Sequence, residues 1–206
     1  MKNKKTLNLS ILALLLAFEI VLFLTPLGFI PVGPIRATTM HIPVIIAAIV
    51  LGVKGGAITG LVFGICSIVT NTLTPTPTSF VFSPFYSVGE FSGNFQSVII
   101  AIVPRVLIGV VAALLYKWLT SKKVNESVSV ITASISGALT STFLVMGGIY
   151  VFFGESYAAA RDVTYDALLG IIGTVISTNG ITEAIVGAIV VLAAYKALKK
   201  TIMKNN

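Results

Sequence analysis

The sequence predicts an all-α, polytopic membrane protein of six transmembrane helices with ordered outer loops. Three observations predict it. Hydrophobic residues make up 56% of the 206 and charged residues only 10%, whereas soluble domains run near ~45–50% and ~25%. The apolar residues fall in long runs rather than in the alternation of a transmembrane barrel. In hydrocarbon, backbone amides must be satisfied within their own segment, which makes such runs helices. No compositional break divides the chain, so 1–206 reads as a single membrane domain with no room for a soluble catalytic one.

A crossing needs ~20 mainly apolar residues, and candidate spans fall at about 7–25, 38–53, 55–72, 96–119, 128–153 and 172–197. The first follows a basic start, but its apolar run is too long for a secretory signal and no small-residue cleavage site follows, so it is expected to be retained. It carries Ala13 and Ala17, small residues four apart that let another helix approach closely in lipid. Glu19 lies about 200° from Ala17, and Asn8 only about 20° from Glu19, at ~100° per residue. Intramembrane polar groups face protein or a watery cavity. Asn8 and Glu19 are therefore expected to point into the bundle, leaving the alanine stripe to a partner protein or to a neighbouring span of this chain.

The second span begins at Met40-His41-Ile42-Pro43, where proline suits a first helical turn. It is coupled to the third through a tight turn, Gly52-Val53-Lys54-Gly55-Gly56. Gly56, Gly60 and Gly64 in the third span, and Gly180, Ala184 and Ala188 in the sixth, read as helix-packing seams. Cys66 is the single cysteine; it excludes an intrachain disulfide and a cysteine-based metal site, and reads as a small packing residue.

Six spans place both termini on one side, and the lysines say which. Lys2, Lys4, Lys5, Lys54, Lys117, Lys122, Lys123, Lys196, Lys199, Lys200 and Lys204 all fall on the terminal side, with Arg36 and Arg161 opposite. By the positive-inside rule the termini are cytoplasmic and the connections 26–37, 73–95 and 154–171 are outside. The net charge of +7 is then mostly an orientation signal, not the gathered basic face of a nucleic-acid binder. The outer connections, such as Thr74-Pro75-Thr76-Pro77-Thr78-Ser79-Phe80, are rich in proline, hydroxyls and rings. They read either as ordered loops packed over the helix ends, a lid on an outward-facing pocket, or as plain connectors.

Intramembrane polar residues are costly and mark candidate sites. Arg105 follows Pro104 about ten residues into span four, roughly 15 Å from its outer end at ~1.5 Å per residue. Glu183 lies in the outer third of span six with Asn179 one turn earlier, Asn71 ends span three, and Glu90, Asn94 and Gln96 cluster where the long connection enters span four. These residues suit a small polar ligand from outside, with loop rings such as Tyr86 covering its apolar part. The alternative for Arg105 and Glu183 is a buried ion pair fixing spans four and six. His41, the single histidine, is either a hydrogen-bonded structural residue or a ligand contact; with no second histidine or cysteine nearby it does not read as a metal site. Phosphate-loop, zinc-protease and nucleophile-elbow motifs are absent, which argues against an enzyme. No internal repeat marks a self-sufficient secondary transporter. An independent ion-coupled carrier or channel stays open as a second reading.

Taken together, the six spans, Ala13-x-x-x-Ala17, Met40-His41-Ile42-Pro43 and Leu51-Gly52-Val53-Lys54-Gly55-Gly56-Ala57 resemble the substrate-binding S components of energy-coupling factor (ECF) transporters over nearly the whole chain. The segment from Thr74 to Phe91, with Pro104-Arg105-Val106-Leu107-Ile108-Gly109, is most similar to the pantothenate-specific members. The resemblance implies a vitamin captured outside and delivered when the S component topples against a module of one transmembrane scaffold and two ATPases. It implies no cofactor in this chain, ATP being used by the partners, and a scaffold contact through Ala13 and Ala17. For pantothenate it implies Arg105 or His41 at the carboxylate and Asn71, Asn94 and Asn179 on the polar remainder. The vitamin's identity, another member of the class included, is not fixed by spacing.

Overall fold

The computed structural model describes residues 4–32 and 35–202, with side chains apart from those of 31–37, 201 and 202. Lys2, Lys204 and the Arg36 side chain, named above, lie outside the described residues. Among the described residues, five helices are long and apolar enough to cross a membrane. They are α1 (Lys4–Leu24), α2 (His41–Leu73), α3 (Phe95–Ser121), α4 (Glu126–Ala159) and a continuous stretch made of α5 (Tyr165–Val175), a π-helical turn (Ile176–Gly180) and α6 (Ile181–Ile202). The strands described are two antiparallel hairpins in the connections, β1 (Phe29–Val32) with β2 (Ile35–Thr38) and β3 (Ser87–Val88) with β4 (Phe91–Ser92). The protein is an all-α membrane protein.

The segments expected as second and third spans meet end to end in α2. Gly52 breaks it, with φ 77° and ψ −167°, a backbone conformation that glycine adopts without a Cβ penalty. Residues eight apart in a straight helix are ~12 Å apart, yet a Cβ placed on Gly56 would fall 2.8 Å from the Ala48 Cβ. His41 and Asn71, from opposite ends of α2, border one cavity. The chain therefore doubles back at Gly52. The first arm is buried without interruption from His41 to Ile49, which explains why it is apolar on every side.

The second arm lies against α3 along the glycine seam. A Cβ on Gly56, Gly60 or Gly64 would come within 2.8–2.9 Å of the Cα of Gly109, Val106 or Ile102 respectively. Backbones thus touch, as the small-residue rule requires. On the other side of the bundle Gly180 abuts Thr142, with Ala184 and Ala188 buried below it.

α1 buries Ile11, Leu15, Glu19 and Leu22 and exposes Ala13 and Ala17. Glu19 is 0% exposed, and neither of its carboxyl oxygens has a hydrogen-bond partner among the described residues. Asn8 departs from expectation: it is exposed, one turn before Ile11, the first buried residue of α1.

The expected connection 154–171 is also corrected. α4 continues past an irregular Phe153 (φ −134°, ψ 16°) to Ala159, and α5 starts at Tyr165, so only 160–164 link them. Polar residues here sit at a helix rim and do not end the helix. The Tyr150 and Tyr165 rings stack across the corner at 5.5 Å, and Tyr157 and Leu168 are buried beneath it.

Two apolar clusters result. One runs from Ile11, Ala47, Ala112, Val130 and Val191 at the end where the lysines gather to Leu22, Met40 and Phe63 near the cavity. The other, with Phe80, Val81, Ile100, Ile149, Phe153 and Leu168, lies under the 73–95 connection.

Candidate ligand-binding site

A concave cavity, open on one side, lies beneath the connections, the shape that small-molecule sites take. Its walls come from α2 (His41, Phe63, Ser67, Asn71), α3 (Arg105, Ile108), α4 (Ala138, Ser141, Thr142, Val145, Met146, Ile149, Tyr157), the π-helical turn (Asn179, Gly180) and α6 (Glu183). Phe29 and Thr38 of the first hairpin segment and Thr76, Thr78 and Phe82 of the 73–95 connection border it from above. The 73–95 connection packs over the helix ends: Ser79, Phe80 and Val81 are buried in a 3-10 turn.

Arg105 is built into the wall by its predecessor. Pro104 has no N–H, so the Ile100 carbonyl loses its helical donor, and Arg105 Nη1 supplies one at 2.8 Å. The guanidinium carbon lies 5.4 Å from the centroids of both Phe63 and Phe82, a sandwich between α2 and the 73–95 connection that favours a planar cation. The residue is 8% exposed, and its Nε has no hydrogen-bond partner among the described residues. No ion pair within 4.0 Å joins Arg105 to Glu183; the one such pair among the described residues is Lys199 with Glu126. Both charges border one space, and a desolvated guanidinium there suits a carboxylate.

Glu183 Oε1 accepts the Thr38 backbone N–H at 2.9 Å, tying the first hairpin to α6. His41 opens α2 three residues on, 4% exposed, with its Nε2 unpartnered. Asn71 is more fully engaged. Its amide nitrogen donates to the Ser67 carbonyl at 2.8 Å and its oxygen accepts from Ser79 Oγ at 2.7 Å, and Ser79 Oγ in turn accepts from the Thr76 amide at 2.8 Å. Asn71 thus anchors the 73–95 connection as well as lining the cavity. Asn179 sits in the π-helical turn, half-buried, its side-chain oxygen accepting from Thr178 Oγ1 at 3.2 Å. Such widened turns often occur at functional sites.

Three candidates lie outside the cavity lining. Tyr86 packs, half-buried, against the cluster under the connections. Glu90 is exposed in the two-residue turn between β3 and β4. Asn94 is the N-cap of α3, accepting from the Gln96 amide at 2.8 Å, while its own amide donates to Ser97 Oγ at 3.0 Å. Its polar atoms are spent on the helix start. Sequence reasoning missed Phe63 and Ser67. Their spacing with Asn71, four and four, places all three on one helical face, a signal that would have found them. Ser141 and Thr142 gave none, since hydroxyls in apolar helices commonly bond their own backbone, as Thr142 does to the Ala138 carbonyl at 3.3 Å.

A family model described as ECF transporter, substrate-specific component, matches residues 7–195. This chain belongs to that family. Among relatives, the ECF substrate-specific component described here is 36% identical over 209 residues to the pantothenic acid transporter PanT of Lactococcus lactis subsp. cremoris, covering all of both chains. It is 29% identical over 202 residues to the pantothenate transporter PanT of Leuconostoc mesenteroides subsp. mesenteroides, covering 94% of this chain and 92% of that one. The cavity under the connections is the feature of this ECF component that a substrate-specific role calls for.

Proposed function

We propose that this chain is the pantothenate-binding subunit of an ATP-driven vitamin importer, capturing the vitamin outside the cell membrane and releasing it inside. The observation that carries the reading is the desolvated Arg105, held between Phe63 and Phe82 with Nε open, in a cavity also lined by hydroxyls, amides, aliphatic groups, His41 and Glu183. Pantothenate has one carboxylate, one amide and two hydroxyls. Arg105 meets the carboxylate, His41 and Asn179 read the polar remainder, and Val145, Met146 and Ile149 contact the apolar part. The full-length similarity to two pantothenate transporters supports this choice of vitamin. The doubling back of α2 at Gly52 supports six crossings, and the distribution of lysines supports cytoplasmic termini.

The chain is not an enzyme in this reading and holds no cofactor. Its partners are a transmembrane scaffold and two ATPases that hydrolyse ATP. The exposed Ala13 and Ala17 face of α1 receives the scaffold, since small residues allow close helix approach without disturbing the cavity.

Isothermal titration of the purified chain with pantothenate is expected to give saturable 1:1 binding, with uptake into vesicles only when scaffold, ATPases and ATP are added. Absence of binding overturns the vitamin assignment. Gradient-driven uptake by this chain alone overturns the subunit assignment.

A further inference from the structure

α6 presents Glu183 and Gly187 one turn apart on one face, and both meet the same short segment of chain. Glu183 Oε1 accepts the Thr38 N–H at 2.9 Å. A Cβ on Gly187 would fall 2.5 Å from His41 Nε2, so the missing side chain is the space the imidazole occupies. Between these two contacts the corner is tightly wound. Thr38 Oγ1 accepts the Met40 amide at 3.1 Å, Thr39 Oγ1 donates to the Leu27 carbonyl at 2.7 Å, and the Ile42 amide reaches the Thr39 carbonyl at 3.0 Å. Met40 itself is fully buried. His41 comes out of this corner at the cavity wall, almost wholly buried, with Nε2 lacking a partner.

That nitrogen is packed against the α6 backbone at Gly187. Its position is set from α6. We infer that Glu183 is a positioning residue, not a ligand contact: through the Thr38 amide it fixes the 38–41 corner, and with Gly187 it seats the His41 ring that forms part of the cavity wall. The inference rests on the cavity being the vitamin site. It assigns His41 a specificity role and makes the hairpin's attachment to α6 part of recognition.

The test has two arms. Hydrogen exchange of amides 38–42 in the ligand-free protein should accelerate in Glu183→Ala and stay at the wild-type rate in Glu183→Gln, whose amide oxygen still accepts from Thr38. Unchanged protection in Glu183→Ala overturns the inference, whatever the ligand. In titrations with pantothenate, Glu183→Ala should weaken binding about tenfold and Glu183→Gln about threefold or less, and Glu183→Ala should add nothing in a His41→Ala background, the signature of one residue acting through another. Losses that multiply in the double variant overturn it, since Glu183 would then touch the ligand itself. Failure of the wild-type chain to bind pantothenate sinks the vitamin assignment alone, and the exchange arm then decides the positioning role.

Discussion

The two ends of the bundle treat their polar side chains in opposite ways. At the lysine-rich end Tyr116 and Tyr195 share a hydrogen bond of 2.9 Å. Tyr195 donates to Glu126 Oε1, and Lys199 pairs with Glu126 Oε2. One cluster thus closes α3, α4 and α6 upon each other with its polar atoms mutually satisfied. At the cavity end Arg105 Nε and His41 Nε2 are buried and left open. Satisfied networks specify structure, whereas open buried donors and acceptors cost stability and are retained where a ligand completes them. Glu19 on α1 is likewise buried and unpartnered but does not border the cavity, so an open polar atom marks the site only where the cavity adjoins it.

Substitutions can break or sharpen that contrast. The largest effect is expected at Arg105: Arg105→Ala should weaken pantothenate binding by about a hundredfold or more, the scale for losing a buried charged partner. Arg105→Lys should recover only part, having no planar fork for the ring sandwich. Titration calorimetry checks both; wild-type affinity in Arg105→Ala would erase the distinction between the ends. Next comes Gly60→Val, which forces a side chain into the Arg105–Val106 backbone and should cost about 1–3 kcal/mol of stability by overpacking. It should lower both the thermal midpoint and ligand affinity, because the seam carries Arg105. Tyr195→Phe should cost about 1 kcal/mol, read as a lower midpoint, with affinity unchanged within about twofold. An affinity loss there would mean that the two ends are coupled. Smallest is Glu90→Ala, a change at an exposed turn, expected to alter neither stability nor binding beyond about 0.5 kcal/mol.

What the sequence made legible follows from the solvent. Arg105, Glu183, His41 and Asn179 stand out because lipid makes a polar side chain inside an apolar run conspicuous, and all four border the cavity. Gly56, Gly60 and Gly64 were readable as a seam because only small residues at that spacing let backbones touch. Glu90 and Asn94 lie in the connection, where polarity is cheap and carries no such meaning; Asn94 with Ser97 three residues on was better read as a helix start. The 154–171 segment was misread for a similar reason, since polar residues at a helix rim resemble a loop in composition. Phe82, which with Phe63 holds the guanidinium, is indistinguishable by type from a lipid-facing ring. Only the fold brings them together.

The π-helical turn at Ile176–Gly180 sets the phase of the last crossing. Upstream and downstream of it the buried positions Leu168, Ile172, Gly180, Ala184 and Ala188 keep a period of four, and an ideal α-helix drifts about 40° around its axis with every four residues. The widened turn takes up the accumulated drift. Asn179 and Glu183 at one end and Tyr195 and Lys199 at the other are thereby kept in register with different neighbours. Were the same residues wound as plain α-helix, the whole C-terminal half would turn by about 100° against the rest, a slipped gear tooth that leaves every side chain in place to be counted.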